Sequence, residues 1–278
     1  MPTAASIFGR EKALIGMVHV GALAGTPRSA APLRSIIRAA AEEARLLVGA
    51  GFDAVLIENM HDAPYLRREV GPEIVAAMTT IGVAVRAAIG DKPLGVQILA
   101  GANRAALAVA HAAGAQFIRA EGFVFSSVAD EGILDEADAG PLLRYRRMIG
   151  AEQVRILADV KKKHSAHAIT ADVDISETAK AAEFFGADGV IITGIATGQA
   201  IRIDDLGSAR VATTLPLIVG SGATPDSVGD LFAYADALIV GSWYKQGGVW
   251  SNPPDAKRAA ELVKAVHAAR GPEQHSPR

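Results

Sequence analysis

The sequence predicts an α/β fold built as a single (β/α)8 barrel, the TIM-barrel architecture, and three observations support this prediction. Eight short apolar runs recur along the chain, and Ala-rich amphipathic stretches separate them. This alternation is typical of parallel strands joined by helical crossovers. In addition, the last two runs end in Gly220-Ser221-Gly222 and in Gly241-Ser242, and the loops after strands 7 and 8 of such barrels frequently bind phosphate.

Each predicted strand is a short, mainly aliphatic run of the kind that is buried on both faces of a parallel sheet. The runs cover residues 14–18, 54–57, 94–99, 117–120, 154–160, 189–192, 217–219 and 237–240. None of them precedes a Gly-x-Gly-x-x-Gly turn followed by an acidic residue about twenty positions on, which would indicate a dinucleotide site. A doubly wound open sheet is therefore the alternative with less support.

The predicted helices lie between these runs and end at glycines. They cover residues 33–48, 72–88, 104–113, 176–185 and 255–269. The glycines that suit the left-handed position after a helix are Gly51, Gly90, Gly114, Gly150 and Gly186. Phrases such as Gly51-Phe52-Asp53-Ala54 and Gly186-Ala187-Asp188-Gly189 repeat, and we interpret them as the turn that returns a helix to the sheet.

A length of 278 residues is consistent with one domain, because α/β barrels of roughly 250 residues are common. We expect a single barrel over residues 1–270, followed by a disordered tail at residues 271–278. The longest non-periodic insert, residues 122–138, is predicted to cover the barrel mouth as a mobile loop.

Composition excludes several classes of protein. The net charge of −2 provides no electrostatic footprint for nucleic acid. The absence of cysteine excludes disulfides, thiolate metal ligands and a cysteine nucleophile. No run reaches the roughly 18 apolar residues of a membrane helix. We therefore expect a cytoplasmic protein without membrane insertion or nucleic-acid binding, whose partner is a small phosphorylated ligand.

Charged and polar side chains stand at the carboxyl ends of the predicted strands, which in this fold form the catalytic mouth. The candidate catalytic residues are His19, Glu58, Arg119, Glu121, Asp159, Lys161 and His164, and the candidate substrate-binding residues are Asn59, His61, Gln97 and Thr193. Structural interpretations compete with these roles. His19 could be a core histidine, Arg119 and Glu121 could close the barrel as a structural layer, and the lysines from Lys161 onward could be a solvated charge run.

The same residues raise the hypothesis of a divalent metal. Glu58, Asp159 and His164 could converge from strands 2 and 5, and His164 and His167 could form a local pair. This spacing is not specific to any metal. No cofactor is therefore firmly predicted.

Phosphate binding is predicted for the glycine-serine loops, because glycine lets backbone amides approach an anion closely. The candidate residues are Gly194, Gly220, Ser221, Gly222, Gly241 and Ser242. Thr224-Pro225 is predicted to begin a helix that points at the same place. The alternative is that these glycines only make tight turns.

Several long phrases carry a resemblance to a known family. They are His19-Val20-Gly21-Ala22-Leu23, Ile57-Glu58-Asn59-Met60-His61-Asp62, Gly95-Val96-Gln97-Ile98-Leu99-Ala100-Gly101-Ala102-Asn103, Ile118-Arg119-Ala120-Glu121-Gly122-Phe123, Ala158-Asp159-Val160-Lys161-Lys162-Lys163-His164-Ser165 and Val219-Gly220-Ser221-Gly222. In these phrases the chain resembles the BtpA/SgcQ family. The resemblance implies a barrel of the ribulose-phosphate-binding type, and its label comes from photosystem I biogenesis. Ala24 stands where the family's Leu-Pro-Gly turn has proline.

Two hypotheses of function follow from these observations. The first is an enzyme acting on a phosphorylated sugar or nucleoside-derived phosphosugar, as an isomerase, a lyase or a glycoside-bond hydrolase. In it Glu58 and Asp159 exchange protons, Lys161 stabilises an oxyanion or forms an imine, and His19 and His164 transfer protons or bind metal. The second is a non-catalytic assembly or stability factor that keeps the barrel and its ligand site. Trp243, Tyr244 and Trp250 could form a contact between subunits or could cover the barrel end.

Overall fold

Eight parallel strands close into a barrel in the computed structural model, which describes residues 2–161, 164–194 and 201–271. The strands are β1 (Ala13–His19), β2 (Ala54–Glu58), β3 (Leu94–Gln97), β4 (Phe117–Ala120), β5 (Arg155–Val160), β6 (Gly189–Ile192), β7 (Leu217–Val219) and β8 (Ala237–Val240). Each strand pairs with its neighbour in the sequence, and β8 pairs with β1 at Ala13↔Ala237. The predicted fold is confirmed.

The barrel is surrounded by helices that follow the strands. They are α1 (Ala4–Phe8), α2 (Leu33–Ala50), α3 (Pro72–Ile89), α4 (Asn103–Ala113), α5 (Ala139–Met148), α6 (Ile175–Phe184), α7 (Ile203–Ala212), α8 (Val228–Leu231) and α9 (Ala256–Arg270). α1 precedes the barrel, and its Phe8 meets Phe117 edge to face inside it with ring centroids 5.4 Å apart. α3 is by length and composition apolar enough to cross a membrane, but its Ile74, Met78, Ile81 and Val85 are buried in the barrel layer.

Alternating side chains of each strand divide the core into two apolar clusters. Inward residues such as Ile15, Leu56 and Ile239 fill the barrel, whereas outward residues such as Leu14 and Val55 pack against the helices. This division follows from the two-residue period of a strand. Apolar side chains fill the lower barrel, so the charged residues at the carboxyl ends of the strands lie above a packed floor.

Three local predictions differ from the structure. β3 ends at Gln97 rather than Leu99, because Leu99 N–H donates to the side-chain oxygen of Asn59 at 2.8 Å. The insert 122–138 is not without regular structure, since residues 127–129 and 132–134 form an antiparallel hairpin that pairs with residues 165–166. The helix predicted from Thr224 begins only at Val228 and spans four residues, so it provides no helix N-terminus at the site. The tail 272–278 lies outside the described residues.

The repeated turn phrase marks a fourfold pattern at the amino-terminal end of the barrel. The residue directly before each even-numbered strand accepts a backbone N–H from the start of the preceding strand and a guanidinium hydrogen bond from a helix. Asp53 accepts from Leu14 N and Arg270, and Gln116 accepts from Leu94 N and Arg86. Asp188 accepts from Ile156 N and Arg146, and Asp236 accepts from Leu217 N and Arg210. These contacts fix each pair of strands to the helix layer.

Replacing Asp188 with alanine is expected to lower the free energy of unfolding by about 2–3 kcal/mol, because the Asp188 carboxylate accepts charged hydrogen bonds. Its donors are Arg146 at 2.8 Å, Arg155 at 3.2 Å and the Ile156 amide at 2.9 Å. Urea unfolding measures the change. Asp226 is exposed, so Asp226→Ala is the matched control and should remain within about 0.5 kcal/mol of the parent. Equal stability of the two variants would contradict a structural role for this pattern.

Candidate functional site

The carboxyl ends of the strands open onto one cavity of about 390 Å³. Many of the predicted site residues line it together. They are His19, Glu58, Gln97, Arg119, Glu121, His164, Gly220, Ser221, Gly222, Gly241 and Ser242. Residues from β1 to β4 and from the loops after β7 and β8 therefore meet in a single space.

On one wall, three polar side chains stand side by side on neighbouring strands. The strand registers place His19 beside Glu58 and Glu58 beside Gln97. His19 Nε2 lies 3.7 Å from Glu58 Oε2, and both side chains are at least nine-tenths buried. His19 Nδ1 lies 3.1 Å from the carbonyl oxygen of Trp250. Since a carbonyl only accepts, Nδ1 carries a proton, and in the neutral ring Nε2 presents its lone pair on the Glu58 side.

Arg119 and Asp159 form a buried bidentate ion pair beside this wall. Arg119 Nε and Nη2 donate to the two oxygens of Asp159 at 2.9 and 3.0 Å. Burial opposes the charge of Arg119, but the carboxylate of Asp159 outweighs it and leaves the pKa of Arg119 raised. Arg119 lines the cavity, whereas Asp159 lines a separate, smaller pocket. The structure therefore pairs Arg119 with Asp159, and the structural layer of Arg119 and Glu121 stays a prediction.

A second wall is formed by the glycine-serine loops after β7 and β8, and it adjoins His19 because β8 pairs with β1. Ser221 is 8% exposed, and its hydroxyl has no hydrogen-bond partner among the described residues. A Cβ on Gly220 would lie 2.6 Å from Ile191, and a Cβ on Gly241 would lie 2.9 Å from the ring of His19. The chain therefore requires glycine there for close packing, and a group bound by these loops would lie beside His19.

Residues that sequence reasoning missed complete this wall. Trp243, Gly247, Gly248 and Arg258 line the same cavity. The guanidinium of Arg258 lies 4.0 Å from the centre of the Trp243 ring, and its Nε donates to the Trp243 carbonyl at 2.6 Å. Trp243 Nε1 is buried without an acceptor in the described part of the chain. The adjacent glycines Gly247 and Gly248, both at positive φ, were a sequence signal for a loop at this wall. Nothing in the sequence marked Arg258, in the last helix, as a site residue.

The hairpin of residues 127–134 and the loop after β2 form the rim of the cavity. Asp130 and Glu131 line it from the hairpin, and His164 Nδ1 lies 3.8 Å from Asp130 Oδ2. Tyr65 also lines the cavity. Burial raises the pKa of the Tyr65 hydroxyl, and the carboxylates of Glu58 and Glu131 raise it further. Tyr65 is therefore a neutral hydroxyl at physiological pH and donates to the Met60 carbonyl at 2.7 Å.

Several predicted site residues do not line this cavity. Asn59 bridges loops, because its amide donates to Asp62 and accepts from Leu99 N–H. His61 packs on Trp250 with centroids 4.8 Å apart, and burial followed by Lys245 and Arg28 lowers its pKa. Lys161 Nζ donates to the Thr170 carbonyl at 3.4 Å.

Lys161, Thr193, Gly194 and His167 line a separate cleft between the loops after β5 and β6. The set Glu58, Asp159 and His164 does not share one cavity, since Asp159 lines a separate pocket and pairs with Arg119. No group of three or more His, Asp or Glu side chains suited to a metal occurs within residues 2–161, 164–194 and 201–271.

The predicted aromatic contact is used within the chain. Tyr244 is fully buried and its hydroxyl donates to the Met17 carbonyl at 2.5 Å. Trp243 lines the cavity, and Trp250 meets the ring of His19 edge to face at 5.7 Å. These contacts favour the interpretation in which the three side chains cover the end of the barrel, and a contact between subunits stays a prediction.

Comparison with known proteins finds relatives whose sequences match this chain over most of its length. The model of the BtpA family matches residues 10–268. An uncharacterised mitochondrial protein of Caenorhabditis elegans is 46% identical over 258 residues, covering 91% of this chain and 92% of that protein. The photosystem I biogenesis protein BtpA of Synechocystis is 34% identical over 260 residues, covering 93% of this chain and 89% of that protein.

The fold is also found in solved structures of low sequence identity. The (S)-3-O-geranylgeranylglyceryl phosphate synthase of Thermoplasma acidophilum, solved with its substrate sn-glycerol-1-phosphate, superposes with a TM-score of 0.59 at 16% identity. The match covers 96% of this chain and 99% of that chain. At this identity the likeness concerns the fold.

Proposed function

This chain belongs to the BtpA family, and its barrel brings the glycine-serine loops into one cavity with His19 and Glu58. We propose that it is an enzyme acting on a phosphorylated sugar. The observation that supports this proposal is the unsatisfied Ser221 hydroxyl in a cavity that also contains His19 and Glu58. A buried hydroxyl without a partner is costly, so it favours a polar ligand group at this position. The phosphate-bearing substrate in the Thermoplasma synthase is consistent with such a ligand in this fold.

In this proposal the loops after β7 and β8 bind the phosphate. Backbone amides near Gly222 and Ser242 and the Ser221 hydroxyl donate to its oxygens, and Arg258 provides positive charge from the adjacent helix. Because Gly241 adjoins the His19 ring, the sugar attached to the phosphate would extend past His19 towards Glu58.

The chemistry proposed is proton transfer by Glu58 and His19. Glu58 removes a proton from a carbon or hydroxyl of the substrate, and His19 receives or returns a proton through Nε2. Arg119, held in place by Asp159, stabilises the negative charge that develops on a substrate oxygen. No lysine of the described residues lines the cavity, so acid–base isomerisation or cleavage is preferred here to imine formation on Lys161.

Binding of inorganic phosphate and of glucose 6-phosphate tests this function directly. Isothermal titration should detect both, whereas glucose should bind far more weakly. Ser221→Ala should weaken phosphate binding about tenfold, because a hydrogen bond to a charged group is worth roughly 1.5–3 kcal/mol. Ser29 is exposed and remote in sequence from the loops, and Ser29→Ala is the control with unchanged affinity. Failure of every phosphate to bind would contradict the proposal.

The name of the Synechocystis relative supports a second candidate, a barrel that assists assembly of another protein. The same titrations separate the two functions. A phosphosugar that binds and is turned over supports the enzyme. Absence of phosphate binding, together with specific capture of a protein partner, supports the assembly factor.

A further inference from the structure

The part of the cavity wall that β3 forms carries a buried hydrogen-bond acceptor without a donor. Gln97 is 1% exposed, and its Oε1 has no hydrogen-bond donor among the described residues. It stands on β3, four strands from β7 in the closed ring. Gln97 is therefore on the far side of the cavity from Ser221.

The orientation of the Gln97 amide is held by its neighbour. Its Nε2 lies 3.4 Å from Glu121 Oε1, and a carboxylate oxygen accepts a hydrogen bond from nitrogen but not from an amide oxygen. Glu121 is positioned in turn by Asn103, whose side chain exchanges hydrogen bonds with the Glu121 backbone at 2.8 and 3.1 Å. The amide oxygen is consequently the atom left to bind a ligand.

The two sides of the cavity therefore differ in hydrogen-bonding character. The hairpin contributes Glu131 to the lining of the same cavity, and its buried Oε2 also has no donor in the described residues. On the loop side, the groups without partners include the Trp243 Nε1–H donor and the Ser221 hydroxyl, which donates or accepts. A ligand that satisfies both sides presents acceptors at one end and donors at the other.

We propose that the substrate is a sugar phosphate whose end remote from the phosphate carries hydroxyl or amino groups, and that Gln97 selects it against phosphorylated carboxylic acids. This inference rests on the proposed function, because the phosphate must first bind at the loops. Arg119 on the neighbouring strand also lines the cavity and can pair with a carboxylate. An ionised carboxylate at the far end nevertheless supplies only acceptors, so that it leaves Gln97 Oε1 and Glu131 without donors. Rejection of such an analogue follows from the cost of unpaired buried polar groups.

Titration with matched ligands tests the inference. The probes are inorganic phosphate, glucose 6-phosphate, glucosamine 6-phosphate and 6-phosphogluconate. Glucose 6-phosphate and glucosamine 6-phosphate should each bind at least tenfold more tightly than 6-phosphogluconate. In Gln97→Met, which has a similar shape but no amide, the preference should fall to less than threefold while affinity for inorganic phosphate stays within twofold.

The outcomes distinguish this inference from the function on which it rests. If inorganic phosphate binds but 6-phosphogluconate binds the parent protein as tightly as glucose 6-phosphate, the inference is overturned and the phosphate site stands. If no phosphate binds, both are overturned. Should Gln97→Met fail to fold, as judged by its thermal midpoint, the comparison of the three sugar derivatives on the parent protein decides the question.

Discussion

Replacing Glu58 with glutamine is expected to lower kcat for the proposed phosphosugar substrate by about 10²–10⁴-fold, the range over which a positioned acid or base contributes. Glutamine retains the size of the side chain but cannot accept a proton at neutral pH. Because the phosphate loops lie on another wall of the cavity, phosphate affinity should change little. Steady-state kinetics on the sugar phosphate that binds best, combined with phosphate titration, measure the two effects separately.

A control for this prediction is available on the surface. Glu42 on α2 is 64% exposed at its side chain and pairs with Arg38 at 4.0 Å, so Glu42→Gln should leave kcat unchanged. His19→Gln should reduce kcat strongly. The double variant Glu58→Gln/His19→Gln should have a kcat only slightly below that of the less active single variant, since the two residues act as a unit. Turnover by Glu58→Gln within threefold of the parent would remove Glu58 from the proposed chemistry.

Replacing Asp159 with alanine is expected to lower the free energy of unfolding by about 3–5 kcal/mol, because it leaves the Arg119 charge buried without its carboxylate. Arg119 is 4% exposed, and within the described residues Asp159 is the carboxylate with which it forms its ion pair. Urea unfolding at constant pH measures the loss. This cost would identify Asp159 as the residue that positions Arg119 rather than as a proton donor.

The double variant Arg119→Met/Asp159→Leu is the matched comparison. Removing both charges together restores a neutral, packed site, so much of the lost stability should return. The double variant should still lack activity if Arg119 stabilises a developing oxyanion. A cost below about 1 kcal/mol for Asp159→Ala would show that the pair is not needed for the fold.

The barrel could be predicted from local patterns because its elements are short, regular and repeated. Aliphatic runs, Ala-rich stretches and terminal glycines each indicate an element over a few residues. Every strand end agreed within two residues, and the largest difference, at Leu99, arises because the Asn59 side chain accepts the Leu99 N–H. The hairpin in the insert 122–138 was missed because its strands are three residues each and pair partly with residues 165–166.

The separation of site residues could not be predicted in the same way. Asp159 and Lys161 line one small pocket together, as their strand spacing suggested, but neither lines the cavity that holds His19 and Glu58. Lys161 has φ 48° and its amine is directed to Thr170. Glu58 and Asn59 are adjacent, yet Glu58 lines the cavity whereas Asn59 forms hydrogen bonds with Asp62 and Leu99 in the loops. Such differences depend on backbone turns that follow the strand and on partners tens of residues away.

The number and order of the strands, the family, and the two loops on which phosphate binding is proposed could all be read from the amino-acid sequence, because each depends on residues close together in the chain. The folded structure was needed to show that Asp159 holds Arg119, that Arg258 and Trp243 join the loops after β7 and β8, and that Gln97 presents an acceptor across the cavity from them. These relations join residues up to 161 positions apart, Gln97 and Arg258 among them. Closure of the barrel brings them to one cavity, where burial makes every unpaired hydrogen-bonding group consequential.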